Sequence, residues 1–272
     1  MTLKILHVSD IHIRKLKYHT EYREVFAQLY EKAAAEKPDI ILNTGDTFHT
    51  KTDLSSEAVQ MMSELFSNLA DIAPFHMILG NHDMNLRSLG RLDAISPVVD
   101  NLNHPNIHFH KYSDVISLTD DIDMHILSIV DPDNWTKTPN KKKTNIAVYH
   151  GSVKGVKTDM GWAMEHGDID ISELNKYDFA LLGDIHKTNQ MVNSNPRFRY
   201  PGSLVQQNHG ETNDKGFIVW EIENKDSYGV RHCVLENPKP FVTIILTKTG
   251  RLPKNAKVKD GARLRLVSNA NI

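Results

Sequence analysis

The sequence predicts an α/β fold in which two β-sheets form a sandwich flanked by helices, with the start of a small cap at its C-terminal end. Three observations predict it. Short β-rich runs alternate with amphipathic helical patterns up to Asn101, shorter alternating runs follow, and five apolar runs end in polar clusters. A chain of 272 residues with 40% hydrophobic content can bury a core of this size.

The first part of the chain contains three predicted strands and two predicted helices. The strands are the runs LKILHVSD, DIILNTGD and FHMILGNHD. Apolar residues spaced three and four apart predict one helix over residues 22–33, which ends before Pro38, and another over residues 58–69. Asp53 or Ser55 is expected to cap the start of the second helix.

The second part of the chain is predicted to consist mainly of strands. Short runs between residues 107 and 130 are followed by TNIAVYHG, YDFALLGDIH and a β-rich stretch to Leu235. Two prolines make ENPKPF a predicted linker. We therefore expect one α/β domain over residues 1–237 and a partial or truncated capping segment over residues 238–272.

Composition limits the class of protein. A single cysteine, Cys233, excludes an internal disulfide framework, and the charged, hydrophilic start is not typical of a secretory signal peptide. No apolar run approaches the roughly 20 residues that a membrane-spanning helix needs. We expect an intracellular, cytoplasmic protein that does not enter the membrane. The net charge is −2, so an anionic partner would have to be bound by a local site.

Ligand-type side chains follow five of the apolar runs, at the point where each run ends. The clusters contain Asp10 and His12, then Asp46 and His49, then Asn81, His82 and Asp83, then His150, and finally Asp184 and His186. Each cluster alone is also typical of an ordinary turn. Because the carboxyl ends of strands converge in α/β sheets, five clusters in succession predict one shared site.

The residue types at this site predict metal binding. Mixed nitrogen and oxygen ligands suit manganese, iron or zinc better than calcium, which prefers oxygen ligands alone. Two ions about 3.5 to 4 Å apart need a bridging carboxylate, and they hold both the attacking and the leaving oxygen of a phosphate ester. The clusters therefore predict a binuclear phosphoesterase.

The ordered motifs resemble those of a known superfamily. DIH at 10–12, GD at 45–46, GNHD at 80–83, HG at 150–151 and GDIH at 183–186 are similar to the motifs of calcineurin-like metallophosphoesterases. Within that superfamily the chain is most similar to the SbcD-type nuclease subunit of the double-strand-break repair complex, the meiotic recombination 11 group. The segments GDTFHTKTDLS and YPGSLVQQNHGE carry this closer resemblance.

The resemblance implies a role for each clustered residue. It assigns the first metal to Asp10, His12 and His186, the second metal to Asn81, His150 and Asp184, and the bridge to Asp46. It implies that His82, held by Asp83, protonates the leaving oxygen and that His49 orients the scissile phosphate. The family usually has histidine at position 184. A carboxylate is also a competent ligand there, although Asp184 could instead point away as a turn residue.

The resemblance further implies a DNA nuclease with two divalent metal ions per chain, manganese being the expected metal. It implies 3′ to 5′ exonuclease and endonuclease activity, an SbcC-type coiled-coil ATPase partner and a homodimer. Two alternatives remain open at this point. One is a phosphoesterase for a small phosphate ester or nucleotide, which the near-neutral charge favours, and the other is a metal-site relic that serves as a scaffold. His108 and His110 share one face of a predicted strand, but no partner cluster accompanies them.

Overall fold

A computed structural model describes residues 2–52, 54–256 and 258–268. In chain order its strands and helices are β1 (Leu3–Val8), α1 (His19–Glu36), β2 (Ile40–Asn43), α2 (Ser56–Ile72), β3 (Phe75–Ile78), α3 (Ser96–Leu102), β4 (Ile107–His110), β5 (Asp114–Thr119), β6 (Ile122–Leu127), β7 (Thr144–His150), β8 (Phe179–Gly183), β9 (Gln190–Val192), β10 (Asn195–Tyr200), β11 (Gly216–Ile222), β12 (Tyr228–Val234), β13 (Phe241–Ile245) and β14 (Arg263–Val267). Short 3₁₀ turns lie at Leu16–Tyr18, Pro132–Asn134 and Ile171–Glu173.

The strands form two six-stranded sheets and one small pair. The first sheet has the order β12-β11-β1-β2-β3-β4 and the second has the order β5-β6-β7-β8-β10-β9. The central strands β1 to β4 run parallel, as do β6, β7, β8 and β10, so their carboxyl ends lie at a common edge of each sheet. The predicted two-sheet sandwich flanked by helices is confirmed.

Strand side chains alternate between two apolar layers. Ile5 and Leu42 of the first sheet pack with Val148 and Leu181 of the second sheet, and these residues form the core between the sheets. The opposite face of the first sheet packs against α1 and α2, so that a helical layer covers it. Both faces of the central strands are therefore buried, which is why their sequences are apolar throughout.

The two long helices match the predicted apolar stripes. In α1 the buried stripe runs from Tyr22 to Ala33, and the chain leaves the helix through Lys37 in the left-handed conformation. In α2 every predicted stripe residue is buried, and the Ser55 hydroxyl accepts a hydrogen bond from the Ala58 N–H at 3.2 Å. Ser55 is thus the cap, whereas Asp53 lies outside the described residues.

The C-terminal strands form a separate parallel pair, β13 with β14. The Gln206 side chain bonds both the N–H and the carbonyl of Phe241, and Arg263 forms an ion pair with Glu21 of α1. These contacts attach the pair to the larger body. Its assignment as the beginning of a cap remains a prediction. Among the described residues, no helix combines the length and the apolar character that crossing a membrane requires.

Candidate metal centre

The five polar clusters meet at the carboxyl ends of β1, β2, β3, β7 and β8, as predicted. The chain turns sharply there, because Asp10, His12, Asp46 and Asp184 all have positive φ angles, of 50°, 50°, 57° and 95°. Non-glycine residues rarely adopt this conformation, and they are concentrated at functional sites when they do. The turns direct side chains from both sheets into one space.

Two glycines allow the loops to approach so closely. A Cβ at Gly80 would lie 2.0 Å from Asp46 Oδ1, and a Cβ at Gly45 would lie 2.6 Å from His150 Nδ1. Neither position can therefore carry a side chain without moving a predicted metal ligand. This close backbone approach explains the glycine before Asp46 and the glycine before Asn81.

The structure brings the side chains of the first predicted ligand group together. The ligand atoms of Asp10, His12 and His186 all lie within 4.8 Å of one another. His12 Nε2 and His186 Nε2 are 3.0 Å apart, and each lies 3.8 Å from Asp10 Oδ1. Two atoms that each bind one ion at about 2.1 Å are separated by roughly 3 to 4 Å, so these distances fit a shared ion.

Asp46 lies between the two groups with one oxygen facing each. Its Oδ2 is 3.5 Å from His12 Nε2, and its Oδ1 is 3.4 Å from His150 Nε2. Asp184 Oδ1 is 3.9 Å from His150 Nε2, and the Asp184 N–H donates to the Asp10 carboxylate. The Asp184 carboxylate therefore points toward His150 and not away from it, and Asp46 has the placement of a bridging ligand.

Two buried atoms of the second predicted ligand group have no hydrogen-bond partner, His150 Nε2 and Asn81 Oδ1. The His150 ring donates from Nδ1 to the Thr44 carbonyl at 2.7 Å, which leaves the lone pair on Nε2. An unpaired buried polar atom is costly unless a ligand satisfies it. The residues present therefore fit two divalent ions.

The electrostatics of the site also favour cations. Although burial opposes it, the carboxylates of Asp46, Asp10 and Asp184 raise the pKa of His150 well above its usual value. Burial, together with the charges of Asp10 and Asp46, raises the pKa of Asp184 to about 6. Three acidic groups in one buried space destabilise one another unless positive charge is bound between them.

The two predicted catalytic histidines lie beside this centre. The His82 and His49 ring centroids are 4.9 Å and 5.6 Å from the His12 centroid. His82 donates from Nδ1 to the His49 carbonyl at 2.7 Å, and the His82 N–H donates to Asp46 Oδ1 at 2.8 Å. The site thus holds one exposed imidazole, that of His49, and one half-buried imidazole, that of His82, at the edge of the buried ligand group.

The predicted support of His82 by Asp83 is wrong. The Asp83 carboxylate is buried and accepts four backbone N–H groups, those of Gly80, Asp46, Thr47 and Phe48, at 2.9 to 3.1 Å. His82 and Asp83 are adjacent on a turn, but their side chains point in different directions. The Asp83 carboxylate therefore bonds the backbone and not the His82 ring. Asp83 instead fixes the backbone of the loop that carries Asp46, and it is a positioning residue.

Sequence reasoning missed Glu211. His186 donates from Nδ1 to Glu211 Oε1 at 2.9 Å, and Glu211 also accepts from the Ser203 hydroxyl and the Gln207 N–H. A carboxylate that holds the second nitrogen of a metal-binding imidazole fixes its tautomer and orientation. Glu211 is the last residue of YPGSLVQQNHGE, so the resemblance of that segment was the available signal.

His108 and His110 lie outside this centre, on β4, where the His110 ring contacts His76 of β3 through a 2.9 Å hydrogen bond. Within the described ranges, every group of three possible metal ligands with ligand atoms within 4.8 Å of one another contains Asp10 or His12. The histidines on β3 and β4 are therefore not assigned to a metal.

Comparisons with known proteins agree with this geometry. The sequence profile of the calcineurin-like phosphoesterase family matches residues 3–188. The chain is 38% identical over 237 residues to the uncharacterized protein R555 of Acanthamoeba polyphaga mimivirus, covering 82% of this chain and 18% of that protein.

Two archaeal proteins named DNA double-strand break repair protein Mre11 are also similar. The protein of Saccharolobus solfataricus is 28% identical over 203 residues and that of Sulfurisphaera tokodaii 26%, covering 68% and 67% of this chain and 49% of each relative. The crystal structure of a dimetal phosphatase from Danio rerio matches the fold with a TM-score of 0.53 at 10% identity, over 86% of this chain and 99% of that chain. The chain spans 18% of the length of the mimivirus protein and 49% of the length of each archaeal protein.

Proposed function

Because the chain belongs to the calcineurin-like phosphoesterase family, we propose that it is a metal-dependent DNA nuclease that hydrolyses phosphodiester bonds. Family membership and the ligand groups support a phosphoesterase with two divalent ions. The finer activity rests on similarity to the two archaeal repair proteins and on the cleft described below. We include 3′ to 5′ exonuclease and endonuclease modes and manganese as the working metal in the proposal.

Each residue of the site has a separate role in the proposed hydrolysis. The two ions, when bound, would supply Lewis acidity and charge neutralisation at the phosphate. Asp46 holds the two ligand groups together, and Glu211 and Thr44 fix the imidazoles of His186 and His150. His82 donates a proton to the leaving oxygen, and His49 orients the scissile phosphate.

A basic cleft beside His49 is the observation that carries the DNA assignment. The cleft has a volume of about 400 Å³, and Arg14, Lys15 and Lys17 line it together with His49. The two lysines are exposed to solvent. Cations clustered next to a phosphate-cleaving centre suit the backbone of a nucleic-acid strand that extends beyond the cleaved bond. The low net charge of the whole chain does not oppose this, because the positive charge is local.

Assembly is part of the proposal. The SbcD-type resemblance supports an SbcC-type coiled-coil ATPase partner and a homodimer. The chain covers 49% of each repair protein that it matches, so about half of each relative lies outside the matched part. Co-purification with an SbcC-type protein tests the first assembly, and light scattering tests the second.

The second candidate is a phosphoesterase for a small ester, which the net charge of −2 favours. Hydrolysis of linear duplex DNA with manganese, compared with hydrolysis of bis(p-nitrophenyl) phosphate, separates the two. Cleavage of both substrates is expected for the nuclease. Cleavage of the small ester alone would support the second candidate, and activity on neither would support a scaffold.

A charge variant tests the basic cleft itself. The Lys15→Gln/Lys17→Gln variant should bind DNA more weakly and should lower the salt slope of binding by about 1 to 2, with small-ester hydrolysis unchanged. Lys141→Gln/Lys142→Gln is the matched control, because these lysines are also exposed. They lie just before Thr144, where β7 begins, whereas His150 of the metal centre is at the other end of β7. Equal DNA binding in both variants would refute the role of the cleft.

A further inference from the structure

A larger cleft of about 810 Å³ lies beside His186. The segment that carries Asp184, Ile185 and His186 lines it together with Met160 and Trp162. The volume is in the usual range for ligand pockets, about 300 to 1,000 Å³. Because two predicted metal ligands line the cleft, a group bound there is close to the phosphate being cleaved.

Met160 and Trp162 belong to a hairpin over residues 155–164. Lys157 and Ala163 form an antiparallel bridge, and the Thr158 N–H donates to the Trp162 carbonyl at 2.9 Å. The hairpin tip is anchored by Asp159, whose carboxylate accepts from Lys215 Nζ at 3.0 Å. Hydrogen bonds and an ion pair therefore hold the hairpin in one position.

The anchor also connects the hairpin to the metal centre. Lys215 is 2% exposed, and its Nζ donates to the His186 carbonyl at 2.7 Å as well as to Asp159. One buried cation thus sets the distance between the hairpin tip and a predicted metal ligand. Such pre-organisation is expected of a substrate-binding element.

The hairpin presents two large apolar side chains to solvent. Met160 is 82% exposed and Trp162 is 75% exposed. Large apolar side chains exposed together beside a cleft are typical of binding surfaces. An indole also offers a flat π-face on which any nucleobase can stack. The basic cleft lies on the His49 side of the centre and the indole on the His186 side, which separates a place for phosphates from a place for a base.

We propose that Trp162 is the stacking residue for an unpaired nucleobase next to the scissile phosphate. This inference rests on the proposed nuclease function, for which it specifies how one nucleotide of the substrate is held. An unpaired base is required because the faces of paired bases inside a duplex are already stacked. Trp162 contributes substrate binding, while the metal ligands and His82 carry out hydrolysis.

Kinetics of Trp162→Ala and Trp162→Phe test the proposal on a single-stranded oligodeoxynucleotide. Trp162→Ala should raise KM about 5- to 100-fold, the range for losing one stacked base, while Trp162→Phe should retain most of the affinity. With abasic residues flanking the scissile phosphate, the wild type and Trp162→Ala should have the same KM. Tyr112→Ala is the matched control, because Tyr112 is a 58% exposed aromatic residue outside the cleft.

A binding measurement gives a second readout that needs no turnover. Titration with a hydrolysis-resistant phosphorothioate oligonucleotide should quench tryptophan fluorescence more strongly in the wild type than in Trp162→Phe, whose remaining indoles are those of Trp135, which lines another cleft at the centre, and the fully buried Trp220. An abasic version should quench little.

The outcomes separate the two proposals. If the wild type cleaves DNA but Trp162→Ala keeps its KM within twofold, the stacking role is refuted. A change of oligomeric state in Trp162→Ala with unchanged KM would also refute it, in favour of a protein interface. If the wild type does not cleave DNA, the nuclease proposal fails, and base-dependent quenching of Trp162 alone then decides whether the cleft binds a nucleobase.

Discussion

Replacing Asp83 by asparagine tests whether this residue fixes the backbone of the metal-binding loop. The carboxylate is 1% exposed, and each of its oxygens accepts two backbone N–H groups. Burial and the neighbouring charge of Asp46 raise the pKa of Asp83 to about 7, although N–H donors such as those of Gly80 and Phe48 lower it, so the carboxyl is ionised at pH 8. Because four N–H groups occupy the lone pairs of both oxygens, the carboxyl must be ionised to make all four bonds.

The structure gives the size of the effect. Asparagine keeps one oxygen and therefore two of the four hydrogen bonds, while its amide NH₂ faces the other two N–H donors. Hydrogen bonds to a charged group contribute about 1.5 to 3 kcal/mol each. Losing two should lower the free energy of unfolding by about 3 to 6 kcal/mol, a large share of the 5 to 15 kcal/mol typical of a folded protein.

Urea unfolding at pH 8, together with a manganese titration, measures both consequences. Asp83→Asn should unfold at lower urea and should also bind metal more weakly, since the loop that carries Asp46 loses its support. Asp93→Asn is the matched control. Asp93 is also buried and accepts from the N–H groups of Ile95 and Ser96, but it lies outside the centre. It should lower stability without changing metal affinity.

A loss of less than about 1 kcal/mol in Asp83→Asn would refute the assignment, because it is smaller than a single charged hydrogen bond. Normal stability combined with reduced turnover would instead restore the predicted role of Asp83 in orienting His82. A loss of stability therefore indicates that Asp83 supports the loop, whereas a loss of turnover alone indicates that it orients His82.

Further substitutions test the ligands, the proton donor and the buried histidines. Asp46→Asn removes the charge that lets two cations lie side by side, so metal analysis should find fewer than two ions per chain and hydrolysis should be lost; two ions with a near-normal rate would contradict the bridge. His82→Asn should keep metal and DNA binding but reduce turnover about 10²- to 10⁴-fold, whereas loss of metal would make His82 a ligand or a structural residue. Asp184→Ala should weaken binding of the second ion, and Asp184→His should shift metal preference toward zinc; unchanged affinity in Asp184→Ala would show that Asp184 is not a ligand. Burial and neighbouring imidazoles lower the pKa of His76 to about 3 and that of His110 to about 4, so the unfolded chain takes up two more protons than the native protein as the pH falls below about 6.5. The contribution of the two neutral histidines to stability should be complete above that pH and be lost toward pH 4. The variant His76→Gln/His110→Gln should therefore reduce the pH slope of the unfolding free energy near pH 5 by about 2 to 3 kcal/mol per unit. An unchanged slope would refute the low pKa values.

Much of the fold could be predicted because its signals are local. The stripe in α2 depends only on spacings of three and four, and the Ser55 cap depends on one residue before the helix. The convergence of five strand ends was also predictable, because parallel strands place their carboxyl ends at one edge. The meeting of Asp10, Asp46 and His150 at one site follows from that rule together with their residue types.

The contacts of Asp83 and Glu211 could not be predicted in the same way. Asp83 lies next to His82 in the chain, but its four partners come from Gly80 and from the loop after β2, about 35 residues away. Glu211 is 25 residues from His186. Hydrogen bonds of this kind depend on the relative position of separate loops, which spacing and residue type do not encode.

Asp184 replaces the histidine that is usual in the family, and its position in the structure gives this difference a physical reason. Two divalent ions carry four positive charges, and Asp10, Asp46 and Asp184 return three negative charges, against two if position 184 were histidine. Asp184 Oδ1 lies 3.9 Å from His150 Nε2, so its charge is placed at the second ligand group and not in a distant turn. A less positive pair of ions with one more oxygen ligand should favour a hard ion such as manganese and should make a bound water less acidic. The same carboxylate lines the cleft beside Trp162, so the residue expected to influence the choice of metal also borders the place proposed for the nucleobase.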